Sequence, residues 1–190
     1  MQIRQMTPQQ AYEIYRDAFI EAFPPAERRP WRNILAMMKQ DTYECYGGYS
    51  ENGALLCCAF FVRVEEVYLM DYLLTVPASR GEGLGSLFLQ GLLNGVFSRR
   101  VVLGEVEAPD GGEQDALRRR RLAFYERNRF VQTDVMGWVY GVKYRIIAWN
   151  LPRGTTAEAL EDRLMEMYCA LMGPDRCAQW VRLWRQRPEE

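Results

Sequence analysis

Arg80-Gly81-Glu82-Gly83-Leu84-Gly85-Ser86 sets three glycines at alternate positions directly after an arginine, between a hydrophobic strand pattern and a hydrophobic helical pattern. Glycines so spaced remove side chains where backbone must press against a ligand, and a helix start leaves amides pointing outward with partial positive charge. The chemistry this suits is capture of a pyrophosphate by main-chain N–H groups, with Arg80 adding a charge-assisted contact. The segment has neither the Gly-Lys-Ser/Thr ending of a Walker A loop nor the G-x-G-x-x-G spacing of a dinucleotide fingerprint.

Acids in apolar strands are the second chemical signal. Val101 to Glu107 reads as a strand carrying Glu105 and Glu107 at i and i+2, so strand alternation projects both carboxylates from one face. Asp71 sits inside Tyr68-Leu69-Met70-Asp71-Tyr72-Leu73, where an acid must be hydrogen-bonded or useful; its parity groups it with Leu69 and Leu73. The chain holds no histidine, which excludes a Ser-His-Asp triad, a Cys-His protease, an HExxH zinc site and a His-ligated haem. Proton transfer therefore falls to Glu, Asp, Tyr, Lys or Cys.

A length of 190 residues with 48% hydrophobic and 26% charged side chains suits one domain with a core of its own. The formal charge of -1 offers no global attraction for nucleic acid or anionic lipid. Five cysteines without a C-x-x-C pair suggest neither a disulfide framework nor a zinc site, so no metal is expected. The amino terminus lacks a secretory pattern and the longest apolar run, Ala54 to Val62, is about half a membrane span, so the expectation is a cytoplasmic protein with no membrane partner.

The elements that must position these residues are of mixed α/β order. Thr7-Pro8-Gln9-Gln10 is a capping box opening a helix that Pro24-Pro25 ends, and a second helix spans about Trp31 to Gln40. Strands over 42–49, 54–65 and 67–76 form an antiparallel meander with a turn at Glu51-Asn52-Gly53. A helix over 86–97 and a strand over 101–107 follow, then a helix over 117–128 and strands over 131–140 and 143–149. Thr155-x-x-Glu158 opens a helix with Leu160, Leu164, Met167 and Leu171 on one face, and 176–186 reads as a last helix. Residues 155–187 are thus expected as a docked C-terminal helical hairpin on a single domain covering 1–190.

Arg80-x-x-Gly83-x-Gly85 resembles the R/Q-x-x-G-x-G/A acetyl-CoA signature of the GNAT superfamily of N-acetyltransferases, and Phe124-Tyr125-Glu126-Arg127-Asn128-Arg129-Phe130 is similar to its later Y-E-x-x-G-F segment. The resemblance covers about residues 1–150 and implies a GNAT-like acyl-CoA N-acyltransferase fold with a C-terminal helical extension. It implies acetyl-CoA as co-substrate, held by Arg80, Gly81, Glu82, Gly83, Leu84, Gly85 and Ser86, with a distorted strand end at Leu73, Leu74 and Thr75 for the pantetheine arm. It further implies Glu105 as general base, with Glu107 and Asp71 as other candidates, and Tyr125 as the proton donor to the thiolate. The acceptor would be a primary amine of a small molecule or peptide attacking directly in a ternary complex, in a monomer or homodimer. The alternative is a catalytically inactive CoA-binding sensor or interaction module on the same fold.

Two positions depart from the family pattern. Arg118 stands where an asparagine often contacts the coenzyme, and Arg129 replaces the glycine of G-F, leaving Asn128 to take the left-handed conformation. Arg118 to Arg121 point about 100° apart on a helix, so they read as a solvated face with one arginine aimed at phosphate. Trp31, Tyr43, Tyr46, Tyr49, Tyr68 and Tyr72 are candidates for core, wall or acceptor cleft.

Overall fold

The computed structural model describes residues 1–186, so the part of the expected hairpin from residue 187 on lies outside the described residues. The fold is mixed α/β, and the chain divides into two units, Met1–Ser98 and a second from Arg99 on.

In the first unit β1 (Gln2–Gln5), β2 (Tyr43–Tyr49), β3 (Leu55–Val64) and β4 (Val67–Thr75) pair antiparallel in that order. The capping box forms as read: the Gln10 amide donates to Thr7 Oγ1 at 3.3 Å and the Thr7 amide to Gln10 Oε1 at 3.0 Å. The helix it opens is not uniform. α1 (Pro8–Ile14) passes into a π-helical turn over Tyr15–Phe19 and then α2 (Ile20–Ala22). That turn carries the fully buried Phe19 onto Phe60 and Tyr72, both at 4.8 Å between ring centroids. Tertiary aromatic packing, worth about 1.5–3 kcal/mol per buried Phe, outweighs the local preference for an even α-helix. α3 (Trp31–Lys39) follows as expected.

α4 (Leu84–Asn94) starts two residues earlier than its sequence pattern indicated, which puts Gly85 inside the first helical turn. Its Phe88, Leu89, Leu92 and Leu93 are buried, and Phe97 beyond it packs on Phe61 and Tyr68 at 4.6 and 4.7 Å.

In the second unit the strand order is β5 (Val101–Glu107), β7 (Val142–Trp149), β6 (Val131–Val139) and β8 (Val181–Arg185), again antiparallel. α5 (Asp115–Arg127) packs on β5 and β6. α6 (Ala157–Met172) is capped by Thr156 rather than Thr155, the Ala159 amide donating to Thr156 Oγ1 at 3.1 Å, and it buries Leu160, Leu164, Met167 and Tyr168. The expected helix over 176–186 is corrected: α7 (Pro174–Trp180) ends at Trp180, and 181–185 form β8, with Val181 opposite Val139 and Arg185 opposite Val135. The i, i+3, i+4 spacing of Trp180, Leu183 and Trp184 satisfies a helix, but the edge of β6 offers a ladder of main-chain hydrogen bonds that decides for the strand.

Candidate active site

The glycine loop begins with a 3-10 turn over Pro77–Ser79, and the Arg80 amide closes it on the Pro77 carbonyl at 3.3 Å. Gly81 and Gly83 then take φ of +86° and +75°, values open to glycine at no steric cost. At the far end the Ser86 and Leu87 amides both turn inward to the Gly83 carbonyl at 3.1 Å. Between those closures, the amides of residues 81 to 85 donate to no acceptor among the described residues. A Cβ at Gly81 or Gly83 would meet nothing within 4 Å, so both glycines border open space. The run of amides without an internal acceptor is thus five residues long, flanked by Arg80 and Ser86, whose amides bond the Pro77 and Gly83 carbonyls. The Arg80 side chain holds the strand end, Nε donating to the Thr75 carbonyl at 3.2 Å.

Leu73, Leu74 and Thr75 pair regularly with Ala59, Cys58 and Cys57, so the distortion expected there lies earlier. Phe60 faces Tyr72 while Phe61 faces Met70, which leaves Asp71 as the extra residue of a β-bulge. The bulge breaks the parity read from sequence: Leu73 falls on the opposite face from Tyr72, and Asp71 turns to the Tyr43 side. There Arg29 donates to both carboxylate oxygens, Nε to Oδ2 at 2.9 Å and Nη2 to Oδ1 at 3.2 Å, and the Tyr43 phenol donates to Oδ2 at 2.6 Å. Burial, then Asp71, pushes the Tyr43 phenol well above its ordinary range, so it stays a donor. Tyr43, Tyr46, Tyr68 and Tyr72 are buried and Trp31 and Tyr49 half-buried, making most of these aromatics core and wall.

Glu105 and Glu107, two apart on β5, are held by different helices. The Tyr168 phenol of α6 donates to Glu105 Oε1 at 2.5 Å. Glu107 takes Arg118 Nε on Oε2 at 2.9 Å and Arg121 Nη1 on Oε1 at 3.0 Å, both from α5. Arg118 also pairs with Asp110, and Arg119 with Asp115 at 2.7 Å, so with Arg121 three of the four arginines of this run meet carboxylates of the protein.

Tyr125, half-buried near the end of α5, packs against Phe124 and Phe130 at 5.2 and 5.5 Å between centroids. Burial pushes its phenol up to about 12, opposed by Arg121. The left-handed residue after α5 is Arg129 at φ +68°, not Asn128, whose buried side chain donates to the Phe124 carbonyl at 2.8 Å. All five cysteines are free. Burial pushes the thiols of Cys45, Cys57 and Cys58 up and that of Cys177 to about 11, which keeps these four from being thiolates at neutral pH.

No family model matches the chain. An uncharacterized protein of Dictyostelium discoideum is 33% identical over 85 residues, 44% of this chain, and the matched part is 18% of that relative's length. Among solved structures, a Bacteroides thetaiotaomicron protein assigned to the GNAT family of acetyltransferases aligns with a TM-score of 0.69 at 19% identity, covering 92% of this chain and 99% of that one. The ribosomal-protein-S18-alanine N-acetyltransferase of Escherichia coli aligns at 0.56 and 18% identity over 82% and 98% of the two chains. The spermidine N-acetyltransferase of Vibrio cholerae, solved with CoA and spermine, aligns at 0.56 and 9% identity over 78% and 94%.

The chain has the GNAT fold.

Within this GNAT fold two residues that hold candidate acids, Tyr168 on Glu105 and Arg29 on Asp71, escape sequence reading. Tyr168 lies one residue beyond Met167 and four beyond Leu164, a spacing that marks it only as another buried face residue. Arg29 lies between Arg28 and Pro30 in a segment of turns, 42 positions from the acid it pairs with. Among the described residues no group of three or more Cys, Asp or Glu is arranged to hold a metal ion, and no helix is long and apolar enough to cross a membrane.

Proposed function

We propose that the chain is an acetyl-CoA-dependent N-acetyltransferase that acylates a primary amine of a small molecule or peptide. The observation that carries this reading is the row of outward amides from 81 to 85 over two left-handed glycines, in a GNAT fold. Those residues fit a CoA diphosphate: the amides lack internal acceptors, and the space a Cβ would enter at Gly81 and Gly83 is open. Glu82, Leu84 and Gly85 contribute through their backbones, Arg80 through charge, Ser86 by closing the first helical turn, and Leu73, Leu74 and Thr75 as the strand leading in.

Acetyl-CoA, when bound, supplies an acetyl thioester with a thiolate leaving group. An acceptor amine with a pKa of about 10.4 is mostly protonated at neutral pH, and releasing that proton costs about 4 to 5 kcal/mol. Glu105 accepts it, directly or through a water. Tyr125 keeps its phenol proton across the neutral range and donates it to the departing sulfur. Asp71 and Glu107 have both oxygens committed to arginines, so they serve the scaffold. The elevated cysteine thiols favour direct attack over an acetyl-cysteine intermediate.

An amine acceptor is supported by the aligned structures named as spermidine and ribosomal-protein-S18-alanine N-acetyltransferases. Calorimetry with acetyl-CoA, followed by thiol release across polyamines and peptides, tests the reading. Absence of binding heat overturns it; binding without acceptor-dependent thiol release supports the inactive CoA-binding module instead.

A further inference from the structure

Cys169 of α6 and Cys177 of α7 have no part in the proposed transfer, and both thiols are free. Gly173, at φ +83°, turns the chain between the two helices and is tied to both cysteines. Its amide donates to the Cys169 carbonyl at 2.9 Å, and its carbonyl accepts from the Cys177 amide at 3.0 Å. The two residues thus stand four positions before and four after one hinge.

Their side chains converge on the same turn of α6. Cys177 Sγ lies 3.5 Å from Met165 Sδ and 4.0 Å from the Met165 carbonyl oxygen. Met165 precedes Cys169 by four residues, and a side chain on an α-helix leans toward the helix N-terminus, over the turn before its own. The Cys169 thiol therefore overlies the turn that Cys177 Sγ touches. Burial first, and then a hydrogen bond with the Cys169 thiol, push the Cys177 thiol up to about 11. The two differ in access. Cys169 is half-buried, whereas Cys45, Cys57, Cys58 and Cys177 are each 1% exposed or less, so an oxidant arriving from solvent meets Cys169 first.

We propose that Cys169 and Cys177 form a reversible disulfide site, closed by a peroxide, that fastens α7 and the β8 strand directly after it to α6. The proposal goes beyond the acetyl-transfer reading and does not depend on it. The Cys169 sulfur attacks one peroxide oxygen, the O–O bond breaks, and the departing hydroxide takes the Cys169 proton, leaving a sulfenic acid and one water. The Cys177 sulfur then attacks the sulfenic sulfur. The S–S bond forms, the S–O bond breaks, and hydroxide leaves with the Cys177 proton as a second water. Each thiol loses one electron and the peroxide gains two. A dithiol reopens the bond by exchange.

The test treats purified full-length wild type, Cys169→Ser and Cys177→Ser, first reduced, with a small molar excess of hydrogen peroxide. Trypsin cuts after Arg163, Arg176 and Arg182, which puts the two cysteines on separate peptides, 164–176 and 177–182. Wild type is expected to lose two of its five thiols and two hydrogens of intact mass, with those two peptides joined until dithiothreitol parts them. The oxidised protein is expected to unfold about 5 °C above the reduced one, because the bond restrains the unfolded chain. Cys169→Ser should keep all its remaining thiols, and Cys177→Ser should stop at a sulfenic acid that dimedone traps on Cys169. Five intact thiols with oxygen gained at Met165, or a bond joining any other pair, overturns the proposal. So does a Cys169→Ser protein that still loses two thiols. A joined pair with no rise in unfolding temperature overturns the fastening.

Discussion

Arg29 grips both oxygens of Asp71 in a forked ion pair, Nε at 2.9 Å and Nη2 at 3.2 Å, across 42 positions of sequence. The pair ties the segment before α3 to the bulge of β4, and Tyr72 joins in by accepting from the Arg29 amide at 2.6 Å and donating to the Glu27 carbonyl at 2.8 Å. Side-chain exposures of 27% and 14% put the pair between a surface bridge and a buried one, so removing one partner should cost about 2 kcal/mol. Arg29→Ala and Asp71→Asn are each expected to lower urea stability by that amount, and the double variant by less than the sum. Strict additivity would show that the two side chains act independently.

Tyr125→Phe is expected to reduce turnover tenfold or more with CoA affinity unchanged. The phenol, raised to about 12, stays protonated through pH 10, so the deficit should be constant from pH 7 to 10. The sign for stability follows from the same shift. The folded protein retains a proton that the unfolded chain releases near pH 10, so this group's stabilisation is present below 10 and is lost as pH rises toward 12. Unfolding curves of wild type and Tyr125→Phe at pH 9 and 11 check it.

Gly83→Val should separate binding from folding. Its Cβ would enter open space, so the protein cost is backbone strain at φ +75°, about 1 to 2 kcal/mol, while the branched side chain obstructs the amide row. Loss of the acetyl-CoA binding heat in a variant that remains folded is the expected result. Retained affinity would remove the glycine loop from coenzyme binding.

Glu107→Gln should leave turnover within about twofold and lower stability by less than about 1 kcal/mol, because its oxygens meet partly exposed arginines. A hundredfold loss of thiol release would instead make Glu107 the base.

Arg129→Gly is expected to stabilise the protein by about 0.5 to 1 kcal/mol, since an exposed arginine now holds the left-handed position after α5. Thermal unfolding measures it, and a destabilised variant would mean the arginine side chain contributes more than its strain costs.

Signals carried by neighbouring residues are legible in the sequence alone. The Thr7 and Gln10 capping box, the meander with its Ser50 to Ala54 turn, the glycine loop opening α4 and the α5 segment bearing Tyr125 all depend on contacts a few residues apart, where composition and spacing are sufficient. Which group would hold each acid is not legible there, because Arg29, Arg118, Arg121 and Tyr168 lie 42, 11, 14 and 63 positions from the carboxylates they hold.

By itself, then, the sequence determined the order of the main elements between Pro8 and Met172, the absence of histidine chemistry and the place of the glycine loop. Only the tertiary structure decided that 181–185 would leave a helical pattern to extend a strand edge, that an extra residue at Asp71 would reverse the parity of β4, and that a phenol of α6 would meet Glu105. Each of these is a choice between locally acceptable states. The energy that settles it comes from main-chain ladders, aromatic packing and charge pairing with partners that chain proximity does not bring together.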